Sequence, residues 1–333
     1  MIIITGGAGM IGSMVAWHFN AHSQRDDLVL VDRILEADQW QNYCRRDIVE
    51  YLDKDELFPW LAARSPKGPR VDAVIHMGAI SATTERDFSL LLETNIRYSQ
   101  RLWEWCAANE VPYLYASSAA TYGGGELGYA DSHDIAALRP LNGYGFSKQY
   151  FDRWALRQAR EGKPTPPAWY GFKFFNVYGP NEYHKGRMAS VVLHTFNQTR
   201  SGGGMRLFRS HRPDYADGMQ MRDFVYVKDA AAVLAHFVEQ NADHKPASGL
   251  YNIGTGKARA FLDLARATQE SMGLAPAIEF IDMPADLQGK YQYFTQADMA
   301  KLRAAGYDKP FTELEDGVRD YVQGYLMRDD PYC

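Results

Sequence analysis

A doubly wound α/β fold, one parallel sheet covered by helices on both faces, is what this 333-residue chain predicts. Three observations carry that expectation. Short, nearly all-apolar runs alternate with helical patterns through the first half of the chain, which means strands buried on both faces. The first run, Ile2-Ile3-Ile4, opens at once into the glycine turn Gly6-Gly7-Ala8-Gly9-Met10-Ile11-Gly12. The second, Leu28-Val29-Leu30-Val31, ends on an acid, Asp32, twenty positions after Gly12.

In order, the first unit reads strand, glycine turn, helix, strand, acid. The helix carries Met14, Val15, Trp17, His18 and Phe19. This is the layout of a dinucleotide-binding unit, in which a pyrophosphate sits on the free N–H groups at a helix N-terminus. Val71 to His76 is the next strand, followed by the small-residue turn Met77-Gly78-Ala79-Ile80-Ser81. A helix with Leu90, Leu91, Leu92, Asn95 and Ile96 runs on towards Trp103 and Cys106. Pro112 to Ser118 is a strand, a helix starts near Tyr144, and Trp169 to Asn176 is a further strand. Ligands of such a sheet sit at the carboxyl ends of the strands, where Gly9, Asp32, Gly78, Ser118 and Asn176 fall.

Beyond residue 177 the alternation loosens. The stretch from Arg187 to Asp217 is rich in Gly, Arg and His. Phe224-Val225-Tyr226-Val227 then leads to Asp229, read as the N-cap of a helix over Ala230 to Val238, and Leu250 to Ile253 is a short strand. The expected architecture is therefore a Rossmann-type sheet domain, residues 1–176 and 222–253, with a smaller α/β substrate-binding domain, residues 177–221 and 254–333.

Composition narrows the function. With 46% hydrophobic residues the chain can bury a sizeable core. A net charge of −5 gives no reason to propose nucleic acid or an anionic membrane as partner, so any bound anion must meet a local basic cluster. Cys44, Cys106 and Cys333 stand far apart in no metal-like spacing, which suits a reducing, cytoplasmic setting. Nine histidines form no His-x-x-x-His site with a carboxylate, and no metal is expected. No run of 18 apolar residues and no signal-peptide pattern is present, so a soluble protein is expected.

Within Asn142-Gly143-Tyr144-Gly145-Phe146-Ser147-Lys148, a phenol and an ammonium lie four residues apart, on one face of a helix. Such a pair suits acid–base work at a carbinol, because a cation held within about 4–6 Å lowers a tyrosine by roughly 1–3 pKa units. Chance alone supplies about one Tyr-x-x-x-Lys pair in a chain this rich in tyrosine, so the pair gains meaning only from its neighbours.

Those neighbours carry a resemblance. Thr5-Gly6-x-x-Gly9-x-x-Gly12, Asn95, Ser118 with Tyr122-Gly123, Tyr144-x-x-x-Lys148 and Arg222-Asp223-Phe224-Val225 resemble the extended short-chain dehydrogenase/reductases acting on nucleotide sugars. Ala116 to Gly124, Asn176-Val177-Tyr178-Gly179-Pro180 with His184 to Ser190, and Phe294 to Asp298 with Leu302 to Asp308 are more particular. They are similar to segments of the members that epimerise an ADP-linked heptose at carbon six. The resemblance implies a tightly held NADP, with NAD as the alternative, an ADP-heptose substrate and a homopentamer. It also implies two acid–base groups, Tyr144 and Lys185. Lys148 would assist Tyr144 and bind the nicotinamide ribose, and Ser118 would hydrogen-bond the reacting oxygen. A lysine near pKa 10 is a poor base at neutrality, so Lys185 needs burial or a neighbouring cation.

For the cofactor the resemblance assigns Gly6, Gly9, Met10, Ile11, Gly12, Asp32, Arg33 and Lys54. It adds Met77, Gly78, Ala79, Ile80, Ser81, Thr94, Asn95, Val177 and Lys185. Asp32 alone favours the free ribose hydroxyl of NAD, whereas Arg33 can pair with the extra phosphate of NADP. Asn176, Arg187, His194, Phe208, Arg209, Ser210, His211, Arg222 and Tyr291 match substrate-binding positions. Arginine is the residue that meets the two phosphates of a sugar nucleotide in bidentate fashion. Rival readings are a UDP-hexose 4-epimerase and a non-catalytic NADP-binding regulator. A 4,6-dehydratase is disfavoured because Ala119-Ala120 stand where that chemistry wants an acidic pair.

Overall fold

The computed structural model describes residues 1–33, 38–64, 68–240, 245–284 and 292–333. The chain runs β1 (Ile2–Thr5), α1 (Met10–His22), β2 (Leu28–Asp32), β3 (Glu50–Asp53), α2 (Leu57–Ala63) and β4 (Ala73–His76). Then come α3 (Phe88–Leu91), a π-helical stretch Leu92–Arg97, α4 (Tyr98–Ala108), β5 (Tyr113–Ser118), α5 (Gly143–Arg160), β6 (Trp169–Phe174) and β7 (Asn176–Tyr178). The second half adds α6 (Val191–Arg200), β8 (Met205–Phe208), β9 (Met221–Tyr226), α7 (Val227–Glu239) and β10 (Gly249–Ile253). It continues with β11 (Ala258–Ala260), α8 (Phe261–Ser271) and β12 (Ile278–Ile281).

Among the described residues, seven strands form one sheet in the order β10-β6-β5-β4-β1-β2-β3. Every pairing in it is parallel. Strand order reverses between β1 and β4, and the crevice at such a reversal, outside the carboxyl ends, is where doubly wound sheets bind ligands. β1 and β4 are buried along their whole length. That burial is why both are apolar up to their last residues, Thr5 and His76. The expected strand, glycine turn, helix, strand, acid unit is β1-α1-β2. The second half crosses back, β10 adding to the sheet beside β6.

Four local expectations are corrected. The strand at 71–76 starts only at Ala73. The run Trp169 to Asn176 is two strands: Phe175 N still donates to Ile253 O at 3.0 Å, after which β7 leaves the main sheet and pairs with β9. Asp229 is not an N-cap, because α7 already begins at Val227. Its carboxylate instead accepts from Thr312 N and Thr312 Oγ1, at 2.8 and 3.0 Å. The helix through Leu92 and Asn95 widens there into a π-helical stretch, a departure often seen beside functional sites. Two small sheets, β11-β9-β7 and β12-β8, hold the other strands among the described residues. Among the described residues no helix is long and apolar enough to cross a membrane.

Candidate active site

The glycine turn is built by close approach. Gly6 holds a positive φ of 68°, and a Cβ there would lie 2.5 Å from Gly78 N at the end of β4. A Cβ on Gly12 would lie 2.1 Å from Gly6 O, so the first turn of α1 can pack down only without a side chain. Gly9 caps α1 with no side-chain hydrogen bond, leaving the helix N-terminus open to an anion. Asp32, at the end of β2, accepts from Ala8 N at 2.9 Å and Arg33 N at 2.8 Å, tying the acid to the same turn. Burial raises its pKa, and the backbone donors oppose that rise.

These residues line one cleft of about 650 Å³. Its walls bring together Gly6, Gly9, Met10, Ile11, Gly12, Asp32, Arg33 and the Met77–Ser81 turn, all expected at a cofactor. Ser118, Tyr144, Lys148, Asn176, Val177 and Lys185 share the same walls. A second hollow of about 410 Å³ shares Asp32, Arg33 and Gly78 to Ile80 with it and adds Lys54 and Thr94. Phe58, Tyr98 and Arg101 also line that hollow, with the Arg101 guanidinium 3.7 Å from the centre of the Phe58 ring. Sequence reading passed over these three, since only the fold brings α2 and α4 to β2. The open helix terminus and the side-chain-free turn fit a dinucleotide pyrophosphate.

Asn95, expected at the cofactor, has its side chain hydrogen-bonded within the fold. It is buried, its Oδ1 accepts from Ile80 N at 2.9 Å, and its Nδ2 donates to Ile80 O and Ser147 Oγ at 3.0 Å each. The π-helical stretch thus turns Asn95 into a strut between the 77–81 turn and α5.

α5 starts where Asn142 Oδ1 accepts from Gly145 N at 2.8 Å, and this cap sets Tyr144 in the first turn at the end of β5. The Tyr144 phenol hydrogen-bonds with Ser118, whose Oγ also accepts from Ala120 N at 3.1 Å. Here the expected electrostatics are corrected. Burial raises the Tyr144 pKa, with the Ser118 bond opposing, whereas a Lys148-driven fall was expected. The Lys148 ammonium donates instead to Ala116 O at 2.8 Å. Burial lowers Lys148 to about 8, against the pull of Asp152. Below it, Asp152 accepts from Tyr115 at 3.0 Å, Ser117 at 2.7 Å and Lys173 at 2.8 Å, a buried network joining α5, β5 and β6.

Lys185 reaches the cleft from the helical turn Tyr183–Met188 that follows β7. Its ammonium lies 3.0 Å from Met10 Sδ, and burial lowers its pKa, partly offset by Glu182. Burial is one of the two conditions its use as a base demands.

Of the residues expected at the sugar nucleotide, Asn176 lines the cleft, and the others described have partners outside its walls. Arg187 is exposed, and its carbonyl meets His194 Nε2 at 3.4 Å. Phe208 ends β8; Arg209 lies exposed between Asp217 and Asp282, at 3.9 and 3.8 Å. Ser210 N donates to Asp217 at 2.8 Å and His211 N to the Tyr293 hydroxyl at 2.9 Å, so local acids and phenols hold this loop. Arg222 is buried, donates to Met221 O at 2.8 Å, and stacks 5.3 Å from the ring of Phe261, which lines the cleft. Tyr291 lies outside the described residues.

Fold and site together define a nucleotide-cofactor enzyme scaffold with a phenol and two amines at one cleft. Residues 2–254 match the NAD dependent epimerase/dehydratase family, and the chain belongs to that family. More particularly, it is 49% identical over 341 residues to the Fusobacterium nucleatum protein named ADP-L-glycero-D-manno-heptose-6-epimerase, covering all of both chains. A Nitratidesulfovibrio vulgaris protein of the same name is 49% identical over 334 residues, again covering both chains fully. The crystal structure of the Helicobacter pylori ADP-L-glycero-D-manno-heptose-6-epimerase superposes with a TM-score of 0.79 at 27% identity, covering 97% of this chain and 95% of that one.

Proposed function

We propose that this protein interconverts ADP-D-glycero-D-manno-heptose and ADP-L-glycero-D-manno-heptose by epimerisation at carbon six, with NADP bound, in supplying heptose for lipopolysaccharide. The observation that carries the reading is the meeting of Ser118, Tyr144, Lys148 and Lys185 with the glycine turn in one cleft. Full-length relatives carry the corresponding name. A bound nicotinamide dinucleotide supplies the hydride acceptor and donor. Residues 1–176 and 222–253 are read as holding it, and 177–221 and 254–333 as holding the sugar.

The chain's own residues handle protons at the carbon-six oxygen. Burial raises Tyr144, which therefore enters as a proton donor, steadied by Ser118. The same burial lowers Lys185 and favours its neutral, proton-accepting form. One environment thus pushes a phenol and an amine towards opposite roles, as an epimerase needs at two faces of one carbon. Lys148 directs its ammonium along the Ala116 carbonyl beside Tyr144. Arg33, at the cleft wall, is the proposed partner of the NADP phosphate. A cytoplasmic homo-oligomer completes the reading. The test is turnover across a panel of nucleotide sugars: interconversion of the two ADP-heptoses is expected, and turnover confined to UDP-hexoses overturns the reading in favour of a 4-epimerase.

A further inference from the structure

Glu182 has no exposed surface, yet it is an acid. Its carboxylate accepts from Ser190 N at 2.6 Å and Ser190 Oγ at 2.5 Å, eight residues on. Neither donor is a cation. Lys185 N returns to Glu182 O at 3.0 Å, so the acid closes the turn carrying Lys185 at both its ends. The residue before it, Asn181, is also wholly buried, holds a positive φ of 68°, and is pinned to Ser13 Oγ at 3.0 Å. A buried carboxylate without a charged donor is expensive to keep in a protein interior, and such groups persist where they act on something.

We propose that Glu182 is the positioning residue for Lys185: its buried carboxylate fixes the turn and supplies the negative charge against which the cleft-wall amine exchanges its proton. This rests on the reading of Lys185 as an acid–base group. The surroundings of Lys185 make the charge count. On its own turn stand Glu182, joined to it by the Lys185 N to Glu182 O bond and raising its pKa, and His184, which burial and Lys185 lower to about 4 and so keep neutral. From α1 it is faced by the uncharged Met10 thioether. On the far side of Glu182 lie the Tyr183 and Tyr321 phenols, both raised by burial and neutral. Glu182 thus acts on Lys185 against the effect of burial.

The experiment compares the full-length protein with Glu182→Gln, which keeps the shape and removes the charge. Lys185 is titrated by competitive amine acylation across pH, read by peptide mass spectrometry, on cofactor-free protein. Removing an anion at this range stabilises the neutral amine, so its titration is expected to move at least about one pH unit towards acid. In NADP-loaded protein, single-turnover hydride transfer from the epimer that needs Lys185 should show its acidic limb moving the same way. A merely structural role lowers the rate at every pH and leaves both titrations in place, which overturns the proposal. Glu182→Asp, which withdraws the charge by one methylene, is expected to shift both by less. Where Glu182→Gln gives no folded protein, an unmoved titration in Glu182→Asp overturns the proposal. Lys185→Met separates the two readings: if it interconverts the epimers unimpaired, the base assignment fails, whereas a shifted acylation titration still upholds the coupling.

Discussion

Tyr144 Oη and the Arg33 guanidinium carry the sharpest consequences for single side chains. Tyr144→Phe removes the proposed proton donor but leaves the ring in its half-buried place on α5, so fold and cofactor binding are expected to persist. Turnover should fall by a factor of about 10²–10⁴, the usual contribution of one acid–base group. Steady-state kinetics with ADP-heptose check this, and full activity would remove Tyr144 from the chemistry. Arg33 lines both the main cleft and the adjoining hollow. Arg33→Ala is expected to weaken NADP roughly ten- to a hundredfold, the worth of a charge-assisted bond, while NAD changes little. Calorimetric titration with both dinucleotides measures it. Equal losses for the two would shift the phosphate partner to Lys54, which lines the adjoining hollow.

Three elements, β5, β6 and α5, meet at Asp152, which accepts from Tyr115 and Ser117 of β5 and pairs with Lys173 of β6, the two charged side chains being 0% and 1% exposed. Breaking a buried pair from one side leaves an uncompensated charge, so Asp152→Ala is expected to lose about 3–5 kcal/mol of stability. Adding Lys173→Met removes the stranded ammonium and should recover most of that loss. Denaturant unfolding of both variants decides it, and equal destabilisation would show that the hydrogen bonds of Tyr115 and Ser117, not the charge, hold the elements together. Sequence displayed these elements well because each has a local signature: a β-branched run, a capped helix, a glycine turn. It did not display what depends on distant partners. The break at Phe175 exists because β10 and β9 compete for one run of chain. Asp229 looked like a cap because its role lies in Thr312, far along the chain.

Over the whole molecule, most residues expected at a dinucleotide come together along one cleft, whereas of the described residues expected at a sugar nucleotide only Asn176 lines it. The glycine turn, Asp32 and the Tyr144–Lys148 pair are local in sequence, and the parallel sheet delivers them to one crevice by topology alone. The arginines expected at the sugar diphosphate carry no such guarantee. Arg209 meets Asp217 and Asp282, and Arg222 meets backbone carbonyls, partners that only the folded chain supplies. Electrostatics were the least legible of all. A lysine four residues from a tyrosine suggests a lowered phenol, yet the Lys148 ammonium turns to Ala116 O and burial of the assembled site raises Tyr144.

In the proposed reaction one cleft uses two groups, Tyr144 and Lys185, at opposite faces of a single carbon. Single-turnover reduction of bound NADP, followed by absorbance in Lys185→Met with each carbon-six epimer separately, tests it most directly. The account predicts that hydride transfer from one epimer survives while net interconversion falls at least about a hundredfold. Interconversion at the unaltered rate would contradict it, leaving Tyr144 to serve both faces alone.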